Sequence, residues 1–173
     1  SQDIFSNLLL LEQSTMRKRK LSRSISKELN HEPRTREDID TLFLSVNMQE
    51  ARSLKPALDY NYFKGMQVFL VNDWVGDTQF LKDDKDLNGV ISIDMPFMLP
   101  IPLPNELRYI QYKARNFAIG YDAFEIALLM KGSANLSKIT YKGLTGEITF
   151  NNNVINRKST IFKIRDGIYE YLN

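Results

Sequence analysis

The chain has 173 residues, and its 23 Lys and Arg residues against 21 Asp and Glu residues give a formal net charge of +2. Hydrophobic residues make up 43% and charged residues 25% of the sequence, a balance typical of a folded domain with a buried core. This near-neutral charge argues against nucleic acid as a partner, because binding phosphates usually needs a large basic excess. The sequence contains no cysteine, which excludes disulfides, thiolate metal sites and thiol catalysis within this chain.

The first residues do not resemble a signal peptide, because residues 1–7 lack a basic stretch that leads into an apolar core. We therefore expect either a cytosolic protein or a mature or trimmed piece of a longer one. No apolar run reaches the ~18 residues that a membrane-spanning helix requires.

The N-terminal part of the chain reads as helix, strand, helix. Apolar residues at spacings of three or four predict a helix over 4–30. The short β-rich run Thr41–Val46 predicts a strand buried on both faces of a parallel sheet. Asn47 and Glu50 have the spacing of a capping box, which predicts the start of a helix that extends to about Leu58.

Two further strands and a proline-rich crossing follow. The apolar runs 68–71 and 89–95 predict strands, and strand, helix and strand in this order predict a right-handed βαβ unit with a parallel sheet. Four of the six prolines then lie within 96–104. Since each proline fixes φ and removes a hydrogen-bond donor, we expect an extended, stiff connection there.

The C-terminal part combines helix with antiparallel strands. Residues 106–130 predict two helices broken near Gly120, whose inner face consists of Tyr121, Phe124, Ala127 and Leu128. Strands are predicted over 147–150, 154–165 and 168–172, and the Asp166-Gly167 pair predicts a hairpin turn. The whole pattern predicts an α/β fold with a parallel sheet flanked by helices and a short antiparallel segment at the end.

One segment has the beginning of a calcium-binding loop. Asp84, Asp86 and Asn88 alternate and are followed by Gly89, the arrangement that oxygen ligands around Ca²⁺ need. The twelfth position is Met95 instead of the usual glutamate, and a strand follows. Of the two interpretations, a cation site and an Asx-rich turn that enters a strand, we favour the turn, and no metal is predicted.

A basic run lies in the first predicted helix. Arg17, Lys18, Arg19 and Lys20 could contact phosphates or an acidic partner. On a helix, four consecutive residues point around the axis and form no single stripe, and no aromatic residue alternates with them for base stacking. The simplest interpretation is a solvated helix face, and contact with an anionic protein or a cell-wall partner is the alternative.

No arrangement of residues predicts an enzyme. His31 is the only histidine, and no nucleophile elbow or glycine-rich phosphate loop occurs. The acidic segments 37–40 and 83–86 could supply paired carboxylates for acid–base catalysis, but both lie at predicted strand entrances, where solvated turns are expected. We therefore predict no catalytic activity and no cofactor.

Seven short segments, in order along the chain, together form the pattern of one known family. They are PR-x-REDID at 33–40, LFL at 42–44, N-x-x-EAR-x-x-KP-x-L at 47–58, A-x-G-x-DAF at 118–124, GLTGEI at 143–148, I-x-R at 155–157 and DG at 166–167. In these segments the chain resembles the LppC/LpoA outer-membrane lipoproteins, which activate class A penicillin-binding proteins. The likeness covers roughly residues 5–172.

The resemblance implies a fold of periplasmic-binding-protein type I, with two α/β lobes joined by crossing strands. Such a domain is about twice as long, so the resemblance implies that this chain is its C-terminal portion. It divides the chain into a βαβ portion of the second lobe (1–95), an interlobe crossing (96–104), a helical segment that returns to the first lobe (105–140) and a C-terminal β segment (141–173).

The resemblance also implies a function. It predicts a non-catalytic regulator that binds and stimulates a class A bifunctional penicillin-binding protein in peptidoglycan synthesis. The protein would lie on the periplasmic side of the outer membrane, held there by a lipid anchor upstream of this chain, and the chain by itself could form a homodimer. The basic residues Arg17 to Lys20 are the candidate contact with the synthase.

A solute-binding receptor for a small polar ligand is the alternative. In receptors of this fold the end of the second parallel strand lines the ligand cleft. Here that position reads Asn72, Asp73, Trp74, in place of the small hydroxyl residues usual in the family. An indole at this point argues against sugar or amino-acid binding, although it could also stack on a ligand.

Overall fold

The computed structural model describes residues 2–32, 38–60, 65–72, 84–102, 105–107, 115–132, 139–151 and 154–172. Within them the helices are α1 (Gln2–Leu8), α2 (Leu11–Ile25), α3 (Met48–Tyr60) and α4 (Arg115–Gly132). The strands are β1 (Thr41–Val46), β2 (Gln67–Asn72), β3 (Val90–Asp94), β4 (Thr140–Gly143), β5 (Gly146–Asn151), β6 (Val154–Lys158), β7 (Thr160–Arg165) and β8 (Ile168–Tyr171). Short 3₁₀ turns occupy Lys85–Leu87, Pro96–Met98 and Asn105–Leu107.

The strands form two sheets. The larger sheet has the order β1-β2-β3-β7-β8 and the smaller has the order β4-β5-β6. β1, β2 and β3 are parallel, with Phe43 opposite Phe69 and Phe69 opposite Ile91, whereas β3 pairs with β7 in antiparallel register. The predicted α/β class and the βαβ unit are thus confirmed, and two strands from the end of the chain complete the larger sheet.

The main core lies between one face of the larger sheet and the helices α1 and α3. Its members are apolar side chains that are at most 7% exposed, namely Phe5, Leu9, Leu44, Met48, Ala51, Leu58, Val68, Leu70, Leu87, Val90, Leu99, Phe162 and Ile164. Burying each of the larger ones contributes about 1.5–3 kcal/mol. The larger sheet is therefore stabilised mainly by the packing of its inner face against these helices.

The prediction that β1 is buried on both faces is wrong. Leu44 points into the core, but Phe43 is 65% exposed on the opposite face, where it stacks on Phe69 with 5.1 Å between ring centroids. Val71 and Ile93 are also about half exposed on that face. Because β1 is an edge strand, a continuous apolar run does not require two covered faces here.

The single helix predicted over 4–30 is in fact two helices with a left-handed residue between them. Leu10 has φ 57° and separates α1 from α2, and α2 ends before Ser26, which has φ 52°. Phe5 and Leu9 are both buried in the main core, and Leu11 at the start of α2 packs against it. Leu8 and Leu11 are three residues apart across this turn, which is a helical spacing, so the apolar pattern did not reveal the break.

The predicted start of α3 is confirmed. The Asn47 side-chain oxygen accepts a hydrogen bond from the Glu50 backbone N–H at 2.9 Å, and the Glu50 carboxylate accepts one from the Asn47 N–H at 3.2 Å. This is the reciprocal capping box, typically worth ~1 kcal/mol. Ala51 and Leu58 are buried against the sheet, as their spacing predicted.

α4 differs from its prediction in both continuity and orientation. It passes through Gly120 without a break, and its buried residues are Arg115, Ala118, Asp122 and Ile126. Of the predicted inner face, Tyr121 is half-buried, but Phe124 (62%), Leu128 (50%) and Ala127 are exposed, so the prediction is wrong for three of its four residues. The helix is apolar around most of its circumference, so hydrophobicity does not select one side for burial. The hydrogen bonds that Asp122 accepts determine which side faces the protein.

The strand predicted over 154–165 is in fact two strands in different sheets. β6 pairs with β5 in the smaller sheet, and after Ser159 the chain enters β7, which pairs with β3 in the larger one. The hairpin between β7 and β8 is confirmed, since Asp166 and Gly167 both have positive φ (51° and 79°) as a type I′ turn requires.

The proline-rich connection is not extended throughout. It begins with a 3₁₀ turn, Pro96–Met98, whose Phe97 and Met98 side chains are buried with Leu107, Ala118 and Leu144 in a second, smaller core. Pro104 lies outside the described residues. This second core lies where the larger sheet meets α4 and the smaller sheet, while the division of the chain into two lobes stays a prediction.

Among the helices of the described residues, none combines the length and the apolar character needed to cross a bilayer.

Candidate functional site

The four consecutive basic residues of α2, Arg17 to Lys20, point to different sides of the helix. Arg17 and Lys18 line a cavity of about 280 Å³ beside His31. Arg17 and Lys20 border a more open groove on another side of the helix. Arg19 lines neither of these two depressions. The run therefore presents cations in several directions.

His31 lies in the segment that follows α2 and is half-buried. Its Nε2 atom lies 3.3 Å from the Oγ atom of Ser14, a buried residue of α2. This contact fixes the returning segment against the helix. It also brings the imidazole next to Arg17 and Lys18, which the sequence order had not suggested.

The residues proposed for a ligand cleft follow β2. Asn72 is the last residue of that strand, opposite Val46 of β1, and the structure describes only its backbone. Asp73 and Trp74 lie outside the described residues. At the equivalent end of the neighbouring strand, however, a buried charge pair is present.

This charge pair joins Asp94, the last residue of β3, to Arg115, the first residue of α4. Both guanidinium Nη atoms donate to the carboxylate, at 2.6 and 2.9 Å, and the two side chains are only 2% and 11% exposed. The Asp94 carboxylate also accepts from the Met95 backbone N–H at 2.7 Å. No motif predicted this pair, although a carboxylate at the end of an otherwise apolar strand is a detectable signal in the sequence.

A second buried carboxylate joins α4 to the smaller sheet. Asp122 accepts hydrogen bonds from the backbone N–H groups of Leu144 and Thr145, both at 2.8 Å, and from the Thr145 hydroxyl at 2.5 Å. A β-carbon at Gly143 would collide with this carboxylate, so glycine is required there. The A-x-G-x-DAF and GLTGEI segments are therefore two sides of one contact, a link that spacing alone did not show.

Tyr141 lies at the edge of the same contact. Its hydroxyl donates to the Asp122 carboxylate at 3.4 Å. Burial of the ring, followed by the negative charges of Asp122 and Glu125, raises the pKa of Tyr141 from 10.0 to about 12. The phenol thus stays protonated at neutral pH and serves as a donor.

A third polar cluster includes Asp84 and Asn88 of the segment for which an Asx-rich turn was predicted. The Asp84 carboxylate accepts from the Arg52 guanidinium at 2.8 and 3.3 Å and from the Tyr169 hydroxyl at 3.0 Å. Burial, and then the charge of Asp84, raises the pKa of Tyr169. Asn88 accepts from the Asp166 backbone N–H at 3.0 Å. In this segment Asp84 joins α3 to β8, and Asn88 joins the β3 entrance to the β7–β8 turn.

The other candidate acidic groups form no metal cluster in the part of the chain that the structure describes. There, no three His, Cys, Asp or Glu side chains come close enough to share an ion. Asp86 is exposed on its 3₁₀ turn and Asp40 is exposed immediately before β1, whereas Glu37 and Asp83 lie outside the described residues.

One known protein family matches most of the chain. The model of the family described as "LppC putative lipoprotein" matches residues 2–167, nearly the whole length. The chain belongs to this family. The LppC match covers every helix and strand of the described residues up to β7, together with the Asp94–Arg115 pair, the Asp122 contact and the pairing of Arg52 with Asp84. No curated protein matches the chain.

Solved structures show the same fold. The C-domain of LpoA (YraM) from Haemophilus influenzae, described as a regulator of PBP1A, aligns with a TM-score of 0.56 and 18% identity over 90% of this chain and 49% of that domain. Full-length LpoA from the same organism aligns with a TM-score of 0.55 and 19% identity over 76% of this chain and 26% of that one.

A transporter protein also shares the fold. The putative branched-chain amino acid ABC transporter from Chromobacterium violaceum aligns with a TM-score of 0.50 and 22% identity, over 83% of this chain and 52% of that chain. This LppC-family chain thus spans about a quarter of full-length LpoA and about half of the other two structures. At such identities the likeness establishes the fold and leaves the activity open.

Proposed function

We propose that this LppC-family chain is part of a non-catalytic regulator that binds and stimulates a class A bifunctional penicillin-binding protein. The observation that carries the proposal is the family match over residues 2–167, combined with a shared fold with the LpoA C-domain, a regulator of PBP1A. In this proposal the whole protein is a lipoprotein on the periplasmic side of the outer membrane.

The use of the buried polar groups supports a non-catalytic role. Asp94 pairs with Arg115, Asp122 holds a backbone turn, and Asp84 binds Arg52 and Tyr169. A general acid or base must reach a substrate atom, directly or through one water. These carboxylates instead connect secondary-structure elements, so their chemistry is structural.

The proposed contact with the synthase is the basic run Arg17 to Lys20 on α2. Arg17, Arg19 and Lys20 are exposed and Lys18 is half-buried, and cations on several sides of the helix suit an acidic partner surface that surrounds it. Exposed charges of this kind raise association rates and set specificity more than they add affinity. Binding through them should therefore weaken as the salt concentration rises.

The test is surface-immobilised binding of this chain to the purified periplasmic region of a class A penicillin-binding protein from the same bacterium. We expect saturable binding, and we expect at least a tenfold loss of affinity when Arg17, Lys18, Arg19 and Lys20 are all replaced by Glu. The matched control reverses Lys131, Lys142, Arg157 and Lys158, which are exposed residues of α4 and the smaller sheet.

The control has the same change in net charge, so it separates a specific contact from general repulsion. Equal affinities for the native chain and the α2 variant would exclude the basic run as the contact. Absence of any binding by the native chain would contradict a contact within these residues.

A solute-binding role is the second candidate, because the C. violaceum transporter protein shares the fold. The cleft would lie near Asn72, Asp73 and Trp74. A ligand that binds only the native state stabilises it, by about 2.7 kcal/mol at a concentration one hundred times Kd. A rise in melting temperature with amino acids, sugars or muropeptides would support this candidate, and an unchanged melting temperature across all three classes would count against it.

A further inference from the structure

The cavity beside α2 is built from two parts of the chain that meet only in the folded state. Ser14, Arg17, Lys18 and Leu21 have the spacing of one face of the helix. After the helix, the left-handed residue Ser26 reverses the chain direction, and the Lys27 backbone N–H donates to the Ser22 carbonyl at 3.3 Å. The segment after this cap then returns along the helix and closes the other side of the cavity with Leu29, Asn30 and His31.

The polar groups around this cavity of about 280 Å³ are mainly hydrogen-bond donors. Arg17 contributes a guanidinium, Lys18 an ammonium group and Asn30 an amide. His31 is held in place by its 3.3 Å contact with Ser14. None of the described lining residues is Asp or Glu. An anionic group placed here would thus meet two cations and no carboxylate from the described residues of the wall.

The rest of the wall is apolar. Leu21 is 57% exposed on the helix and Leu29 is half-buried on the returning segment. Both line the cavity, which leaves apolar surface next to the two cations. A bare inorganic ion would leave this surface exposed to water, whereas a ligand with a short hydrocarbon part would cover it.

We propose that this cavity binds a small organic anion, namely a carboxylate or phosphate monoester that carries a short apolar group. The anionic group contacts Arg17 and Lys18, with Asn30 and His31 as further donors, and the apolar group rests on Leu21 and Leu29. None of its described lining residues belongs to the parallel strands, and the proposal does not depend on the proposed regulatory function.

In the test, the whole chain is titrated with hexanoate, hexyl phosphate, inorganic phosphate and hexanol. Binding is measured by calorimetry and by backbone amide NMR. We expect saturable binding of hexanoate or hexyl phosphate, with shifts at residues 14–21 and 29–31. Whichever of the two binds more tightly identifies the anionic group. Inorganic phosphate and hexanol should each bind at least about tenfold more weakly, since each lacks half of the ligand.

Two matched variants locate the site on the helix. Arg17→Gln with Lys18→Gln removes the cavity cations, and Arg19→Gln with Lys20→Gln removes the same charge from residues that do not line it. We expect at least a tenfold loss of affinity, or ~1.4 kcal/mol, in the first variant and less than a twofold change in the second. Three of these residues are exposed and Lys18 is half-buried, so circular dichroism checks that both variants fold.

Three results would each overturn the proposal. They are the absence of saturable binding of both organic anions to the native chain, equal loss in the two variants, and inorganic phosphate binding as tightly as hexyl phosphate. A third variant, Leu29→Asn, tests the apolar wall separately, because it should weaken hexyl phosphate and leave inorganic phosphate unchanged. No penicillin-binding protein is present in these experiments, so their failure and that of the regulatory proposal are distinguishable.

Discussion

The pair of Asp94 and Arg115 is a buried contact between charged groups, with the two side chains 2% and 11% exposed. The bidentate geometry satisfies both carboxylate oxygens at the point where the larger sheet meets α4. A buried ion pair is not by itself strong stabilisation, because desolvation of the two charges offsets their attraction. Removal of one partner is different, since it leaves the other charge buried and uncompensated.

We therefore predict that Arg115→Met lowers the free energy of unfolding by about 3–5 kcal/mol. Urea denaturation of the variant and the native chain measures the difference. The control is Arg165→Met, which breaks the exposed pair of Arg165 and Glu170 and should cost at most about 1 kcal/mol.

The double variant Asp94→Asn with Arg115→Met removes both charges and should recover a large part of the loss. If the single and double variants were equally unstable, lost packing would explain the effect, and the ion-pair interpretation would be excluded. If Arg115→Met is too unstable to purify, its yield of folded protein in the cell can be compared with that of the double variant.

At the scale of elements, α4 shows why apolar periodicity did not identify the buried face. Phe124 and Leu128 lie on the exposed side, whereas Ala118, Asp122 and Ile126 face the protein. The helix carries apolar residues around most of its surface, so a buried side cannot be chosen from hydrophobicity alone. The hydrogen bonds of Asp122 to the β4–β5 turn determine the rotation of the helix.

This orientation predicts a small effect for the double variant Phe124→Gln with Leu128→Gln. Each substitution should change the free energy of unfolding by less than about 0.5 kcal/mol, the range for surface positions. Ile126→Ala, on the opposite side, should lower it by about 2–5 kcal/mol. Urea denaturation of both variants checks the contrast. A large loss in the Gln variant would show that this face is covered in solution.

At the scale of the whole molecule, three tyrosines couple the stability of the fold to high pH. The pKa values of Tyr141, Tyr169 and Tyr171 are all raised, in each case first by burial. Above pH 10 the unfolded chain loses these protons while the native chain keeps them, so the unfolded state binds fewer protons. The contribution of these tyrosines to the free energy of unfolding is fully present below pH 10. It is lost as the pH rises through their raised pKa values.

We predict that the urea midpoint falls between pH 10 and pH 12, and that Tyr141→Phe makes this fall smaller. The matched control is Tyr60→Phe, because Tyr60 is 78% exposed at the end of α3. An identical pH profile for Tyr141→Phe and the native chain would show that the Tyr141 phenol does not titrate differently in the two states.

The sequence by itself determined the local structure wherever the signal was local. The β1–α3–β2 unit, the Asn47 and Glu50 capping box and the Asp166-Gly167 hairpin depend on neighbouring residues, and each is present. The family followed from short segments in order, and the match over residues 2–167 confirms it. These features are readable because propensity and turn chemistry act over a few positions.

Only the tertiary structure decided how distant segments meet. Asp94 and Arg115, Asp122 and Thr145, and Arg52 and Asp84 are each 21 to 32 residues apart, and no periodicity connects them. The break at Leu10, the sheet change at Ser159 and the exposed side of α4 likewise follow from long-range packing. A buried charge takes the partner that the fold brings to it, and that choice is made by three-dimensional proximity rather than by sequence spacing.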